Sequence, residues 1–134
     1  MTLMDVMNLI VSLGIVDKSH VYAGKLDNKK EKCIGCYHLR RSGYAHIPIG
    51  GKDNITYDVK AISFLVHWNR NQLQTEETAQ RLYDALVSVD HMQINECVIL
   101  FCRLLVPEPQ DVGTDDNGIY EAVIEVEFYT ERKG

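Results

Sequence analysis

The clearest alternation of apolar and polar positions lies near the end of the chain. In IYEAVIEVEFYTER, Tyr120, Ala122, Ile124, Val126 and Phe128 share one parity, and Glu121, Glu125 and Glu127 share the other. Successive side chains of a strand point to opposite faces, so this run predicts a strand with one buried face and one acidic, wet face. The preceding run CVILFCRLLV, residues 97–106, is apolar on both parities except at Arg103, which predicts a strand covered on two sides. Joined by PEPQDVGTDDNG, the two runs are expected to form the spine of a sheet.

Helical spacing appears twice. Leu3, Val6, Met7, Ile10 and Leu13 recur at three- and four-residue intervals, behind Thr2 and Asp5 placed as in a capping box, with Gly14 suited to a left-handed exit. Ala79, Leu82, Tyr83, Leu86 and Val89 form a second stripe, with Thr75 expected as the cap and Glu76 and Glu77 in the first turn. Short strands are predicted at Val21–Gly24 and Cys33–Arg40, around a charged turn at 25–32 that reads as a hairpin tip. Another is predicted over Val59–Trp68, where Ile62, Phe64, Val66 and Trp68 share a parity. Residues 41–58, RSGYAHIPIGGKDNITYD, are broken by Gly43, Pro48, Gly50 and Gly51 and predict a long loop. The order helix, three strands, helix, two strands fits an α+β fold: a mainly antiparallel sheet of four to five strands with two helices packed on one face. Residues 1–134 are expected to make a single domain.

Composition adds constraints. No apolar run approaches the ~20 residues of a membrane span, and the N-terminus has Asp5 and no basic flank, which makes a poor export signal. The four cysteines are therefore expected to be reduced. The net charge of −5 is uneven: residues 1–58 hold eight Lys/Arg against six Asp/Glu, and residues 59–134 hold six against thirteen. An acidic sheet half is a poor partner for phosphates, which argues against sequence-specific DNA binding.

Candidate chemistry is sparse. Cys33-x-x-Cys36 lacks the second pair a zinc site needs, and in an extended run its two side chains diverge; Cys97 and Cys102, five apart, are also expected on opposite faces. His20, His38, His46, His67 and His91 are scattered and read as isolated surface or loop residues. The loop Asp111–Gly118 fails the calcium-loop pattern, since placing Gly118 at the required glycine puts Gly113 and Ile124 at ligand positions. Asp, Asn and Gly there read as a tight turn. No phosphate loop, nucleophile elbow or dinucleotide fingerprint is present, so no catalytic, cofactor-binding or metal residue is assigned.

The helix with NLIVSLGI, the VYAG strand, HWNR ending in Arg70, the ETAQRLYDAL helix, and the final PEPQDVGTDDNGIYEAVIEVEFYTER closing on Tyr129 and Arg132 form a recognisable layout. It resembles the small tail-terminator (tail-completion) proteins of long-tailed bacteriophages, some described as minor capsid proteins. The CIGC run and the 41–58 loop depart from it. The resemblance implies a non-enzymatic virion protein, assembled in the host cytoplasm, that forms a ring of identical copies, commonly a hexamer. The ring would sit on the head-proximal end of the tail tube, stop polymerisation of the tube protein and dock the head connector or completion protein. DNA would pass through unread, and no cofactor or membrane is involved. Tyr44, His46, Ile47, Ile49 and Ile55, too apolar for a solvated loop, together with Arg70, are the expected assembly interface. The alternative for the loop is a hairpin folded on its own sheet. Asp115, Asp116, Glu125 and Glu127 are the expected channel-facing acids, which would repel DNA and let it slide. Two other readings compete: an α+β binding module of unknown ligand, and a zinc or redox protein built on Cys33 and Cys36.

Overall fold

The computed structural model describes residues 1–26, 30–39 and 57–132. In chain order the elements are α1 (Leu3–Ser12), a 3-10 turn (Lys18–His20), β1 (Val21–Ala23), β2 (Cys33–His38), β3 (Tyr57–His67), α2 (Gln72–Val87), β4 (Asp90–Ile94), β5 (Cys97–Leu104), β6 (Gln110–Thr114) and β7 (Tyr120–Glu131). The sheet order is β1-β2-β3-β7-β5-β4, and β6 also pairs with β7.

The expected spine is present. β7 pairs with β3 along its whole length on one edge; on the other, β5 takes the Val126–Thr130 half and β6 the Tyr120–Val123 half. The sheet is larger than the four to five strands expected, because β4 and β6 escape pattern reading. Every residue of β6 is exposed, so it has no buried face to betray it and exists through backbone pairing alone. In β4 only Ile94 is buried. The sheet is also mixed. β1 runs parallel to β2 with Val21 opposite Ile34, so the segment between them is a return connection and no hairpin tip.

Both helices lie on one face. Val6, Leu9 and Ile10 of α1 and Ala79, Leu82 and Leu86 of α2 join one buried cluster with Ile62, Phe64 and Val66 of β3 and Ala122, Ile124, Val126 and Phe128 of β7. Those strand residues share a parity, which places the core on one side. α1 touches β1 and β2 at one margin and β4 at the other, so the sheet curls around it. Asn95, between β4 and β5, donates to Asp5 Oδ1 at 3.1 Å and ties that curl to the helix start.

The capping box at Thr2 and Asp5 forms as read, and Gly14 takes a φ of +75° at the exit. α2 begins earlier than expected. Its cap is Asn71, whose side chain accepts from the Gln74 amide; Thr75 sits inside the first turn, its hydroxyl donating to the Asn71 carbonyl. The extra turn went unseen because Leu73, its only apolar residue, is 62% exposed.

β5 departs from expectation in two ways. It is not covered on both faces, since Phe101 is 46% exposed. A bulge at Leu100 puts Ile99 opposite Thr130 and Phe101 opposite Tyr129, which shifts the parity of everything after it. Cys97 and Cys102 therefore both lie against the core, where strict alternation would have separated them.

Phe128 is fully buried and meets Phe64 edge-on, with ring centroids 6.1 Å apart. Phe128→Ala is expected to destabilise by about 3–5 kcal/mol, read from the denaturant midpoint; a variant with an unchanged midpoint would remove this residue from the core.

Candidate assembly surface

The helix-free face of the sheet is laid out by register. Across β2, β3 and β7 it carries Cys33–His67–Glu121, then Gly35–Leu65–Val123, then Tyr37–Ser63–Glu125. Beyond these come Ala61–Glu127–Arg103 and Val59–Tyr129–Phe101, reaching β5. This face is not the wet acidic surface that alternation predicted. Glu127 is 2% exposed, with Arg103 Nη1 3.5 Å from its Oε1 and the Tyr129 hydroxyl donating to the same oxygen at 3.5 Å. The reason is positional: the lone cation of β5 stands directly opposite it, so burial is offset by pairing. Glu121 and Glu125 are half-buried. At one end Phe101 stacks on Tyr129 with centroids 4.4 Å apart, and Tyr57 tilts against the same ring.

Gly35 serves this face by having no side chain. A Cβ there would come within 2.6 Å of Tyr37 Cε2, so the tyrosine ring folds back along its own strand over the glycine. Burial, with the Glu121 carboxylate nearby, pushes the Tyr37 phenol above its ordinary value.

A polar corner closes the other end. His67 is fully buried, and its Nδ1–H donates to Glu121 Oε2 at 2.8 Å, with Asp115 Oδ2 3.8 Å away. A carboxylate is acceptor-only, so this contact puts the proton on Nδ1. Asp115 opens the turn into β7: its Oδ1 accepts from the amides of Asn117 (2.9 Å) and Ile119 (3.0 Å), and Gly118 takes a φ of +79°. Partial burial pushes the Asp115 carboxyl up, but these two amides, His67 and Arg70 outweigh it and hold the group below its usual value. Arg70 donates through Nε to the Asn117 carbonyl at 3.2 Å, locking the start of α2 to the same turn. The Trp68 amide donates to the Tyr120 carbonyl at 3.1 Å, and the Tyr120 amide donates to the Asn69 carbonyl at 2.8 Å.

Beside that corner, α2 and β6 frame a cleft of about 380 Å³ lined by Gln72, Glu76, Gln80, Glu108, Asp111 and Tyr120, among others. Gln72 donates to Asp111 at 3.5 Å across it. Four carboxylates, Glu76, Glu108, Asp111 and Glu121, stand in its lining beside Ala79, Pro109 and Ala122.

Of the residues singled out from the sequence, Tyr44, His46, Ile47, Ile49 and Ile55 lie outside the described residues. Arg70 is exposed, at the corner just described. Asp116 is exposed, Asp115 and Glu125 are partly so, and Glu127 is buried. The expected divergence of Cys33 and Cys36 is observed: Cys33 sits on the helix-free face near His20 Nδ1 (3.9 Å), while Cys36 enters the core. Burial pushes the thiols of Cys36 and Cys102 up to about 12. Among the described residues no three His, Cys, Asp or Glu side chains converge as metal ligands. His67, expected to be an isolated surface or loop residue, is instead buried and paired. Its partner Glu121 is 54 positions away, and only the β3–β7 register brings them together.

The described residues thus combine two helices on one face of a mixed, curled sheet with a second face on which no described helix packs. Residues 9–132 match the family described as bacteriophage tail terminator protein, and the chain belongs to that family. It is thus a phage tail structural protein, a component of the virion, and no described helix is long and apolar enough to cross a membrane. No curated relative and no solved structure matches it.

Two tests follow from this geometry. In the native protein Cys36 and Cys102 should resist alkylation until denaturant is added, and a chelator should leave the melting temperature unchanged; loss of structure on chelation would restore the zinc reading. Asp115→Ala should destabilise by about 1 kcal/mol at neutral pH. Because the carboxyl is held low in the folded state, its contribution is present above the usual carboxylate range and is lost as pH falls through the depressed value. The gap between wild type and Asp115→Ala, measured by denaturant midpoint, should therefore shrink in acid.

Proposed function

We propose that this chain ends growth of the tail tube by capping its head-proximal end as a ring of identical copies, a hexamer by analogy with its family, and presents the far side of that ring to the head connector or completion protein. The role is structural and includes no catalytic step. The observation that carries the reading is the family match across residues 9–132. The fold supports it with exposed sheet margins and a polar corner that fixes one end of the sheet.

The ring assembles from copies made in the host cytoplasm, and DNA passes through it unread. Asp116, with Asp115 and Glu125, contributes negative potential to the channel wall, which disfavours adhesion of the sliding duplex. Glu127 is left out of this set, because a buried carboxylate beside Arg103 presents little field to a channel. Tyr44, His46, Ile47, Ile49 and Ile55 meet a neighbouring copy or the tube, with Arg70 at the edge of the same contact.

Polymerising tail-tube protein with and without the purified chain tests this. Tubes should stop growing and carry added density at one end by negative-stain microscopy. Replacing Tyr44–Ile55 by a short glycine linker should leave a folded chain that no longer caps. Unrestricted growth beside excess folded wild type would overturn the capping role, and normal capping by the deletion variant would remove the loop from it.

A further inference from the structure

We infer that neighbouring copies meet head to tail, the β6 margin of one against the β1 margin of the next; the inference rests on the ring reading above and adds which surfaces form its joint. The observation behind it is that these margins are the two ends of the same rows of the sheet. Val21, Ile34, Val66, Ala122 and Asp111 stand opposite one another in sequence across β1, β2, β3, β7 and β6, and so do Tyr22, Gly35, Leu65, Val123 and Gln110. Four strand spacings of ~4.8 Å separate the ends. Among the described residues no strand pairs with the outer edge of either β1 or β6.

A closed ring requires each copy to present two different patches that fit one another. The directions of the strands meet that requirement. β1 is parallel to β2, and the next three pairings along the row are antiparallel, so β6 runs opposite to β1. Continuing the row from one copy into the next therefore sets β6 and β1 antiparallel, the pairing that an extended edge accepts most readily.

Charge matches in the same sense. Around β1 stand Lys18, Lys25 and Lys32, all exposed, and half-buried Lys30, against Asp17 and Glu31. Around β6 stand Glu108, Asp111 and Asp116, all exposed, and residues 104–118 contain no lysine or arginine. The nearest cation, Arg70, is turned to the Asn117 carbonyl. β6 also exposes Val112 by 54% at its bulge, an apolar group that a neighbour would cover. Strands of three and five residues supply few backbone bonds. Opposed charge therefore supplies the selectivity that makes each margin prefer the other over its own kind.

The test is carbodiimide crosslinking, which joins amines to carboxylates at contact distance, on wild-type chain bound to tail tubes as an equal mixture of light and heavy isotope copies. Mixed-isotope crosslinks are expected from Lys18, Lys25 or Lys32 to Glu108, Asp111 or Asp116. Charge exchange gives a second reading. Glu108→Lys with Asp116→Lys should lose capping about 10-fold or more, and so should Lys18→Glu with Lys25→Glu, while the four changes together should recover most of it. Asp111 is left in place because it holds the bulge by accepting from the Gly113 amide at 2.8 Å. Capped tubes whose crosslinks map elsewhere, or a quadruple variant no better than either pair, would overturn the joint and leave the capping role standing. A wild-type chain that never binds tubes would remove both.

Discussion

β3 and β7 pair without a break from Tyr57 opposite Glu131 to His67 opposite Glu121, and the placement of the other elements depends on that ladder. Side chains along it have a period of two, so a slip of β7 by one residue would send Ile124, Val126 and Phe128 to the far face and bring Glu125 and Glu127 under the helices. No intermediate register satisfies both faces. The core under α1 and α2, the outer row that ends at Phe101, and the meeting of His67 with Glu121 are all consequences of this one alignment.

The outer face reinforces that alignment through polar groups. Across the strands Glu127 stands opposite Arg103, and the buried His67 opposite Glu121. Buried polar pairs of this kind add little net stability, yet a shifted strand would part each from the group now opposite it. The 115–119 turn works in the same direction, since Asp115 fixes the point at which β7 begins. Such constraints hold the two faces of the sheet in a fixed relation to one another.

Much of this was legible in the sequence. The parity of Ala122, Ile124, Val126 and Phe128 marked the core face of β7, and the stripe of Ala79, Leu82 and Leu86 marked that of α2. β6 was not legible, because a strand that buries nothing leaves no apolar period; only the backbone bonds to β7 define it. The first turn of α2 was hidden for a related reason, its capping being done by Asn71 and its one apolar residue lying in solvent. At the site, Asp115 was visible as a turn residue, but Glu121 and Glu127 read as solvated acids. Their partners His67 and Arg103 are distant in the chain, and a one-dimensional pattern holds no information about which cation will stand opposite which anion. The layout quoted from NLIVSLGI to EFYTER, by contrast, was enough to point to the family.

The bulge at Leu100 has a bearing on how this strand can change length. Ile99 faces Thr130 and Phe101 faces Tyr129, so Leu100 is an extra residue with no partner of its own on β7. Dropping it would leave Ile99, Phe101, Cys102 and Arg103 with their present partners on β7 and the same sides of the sheet, and would pass the extra residue to β4, where Met92 and Asp90 now face Ile99 and Phe101. An insertion or deletion one step to either side of the bulge, within the regular ladder, would instead exchange inside for outside along the rest of β5. Divergence among homologous chains can therefore add or remove a residue at this one point of the strand while the joint with β7 stays the same.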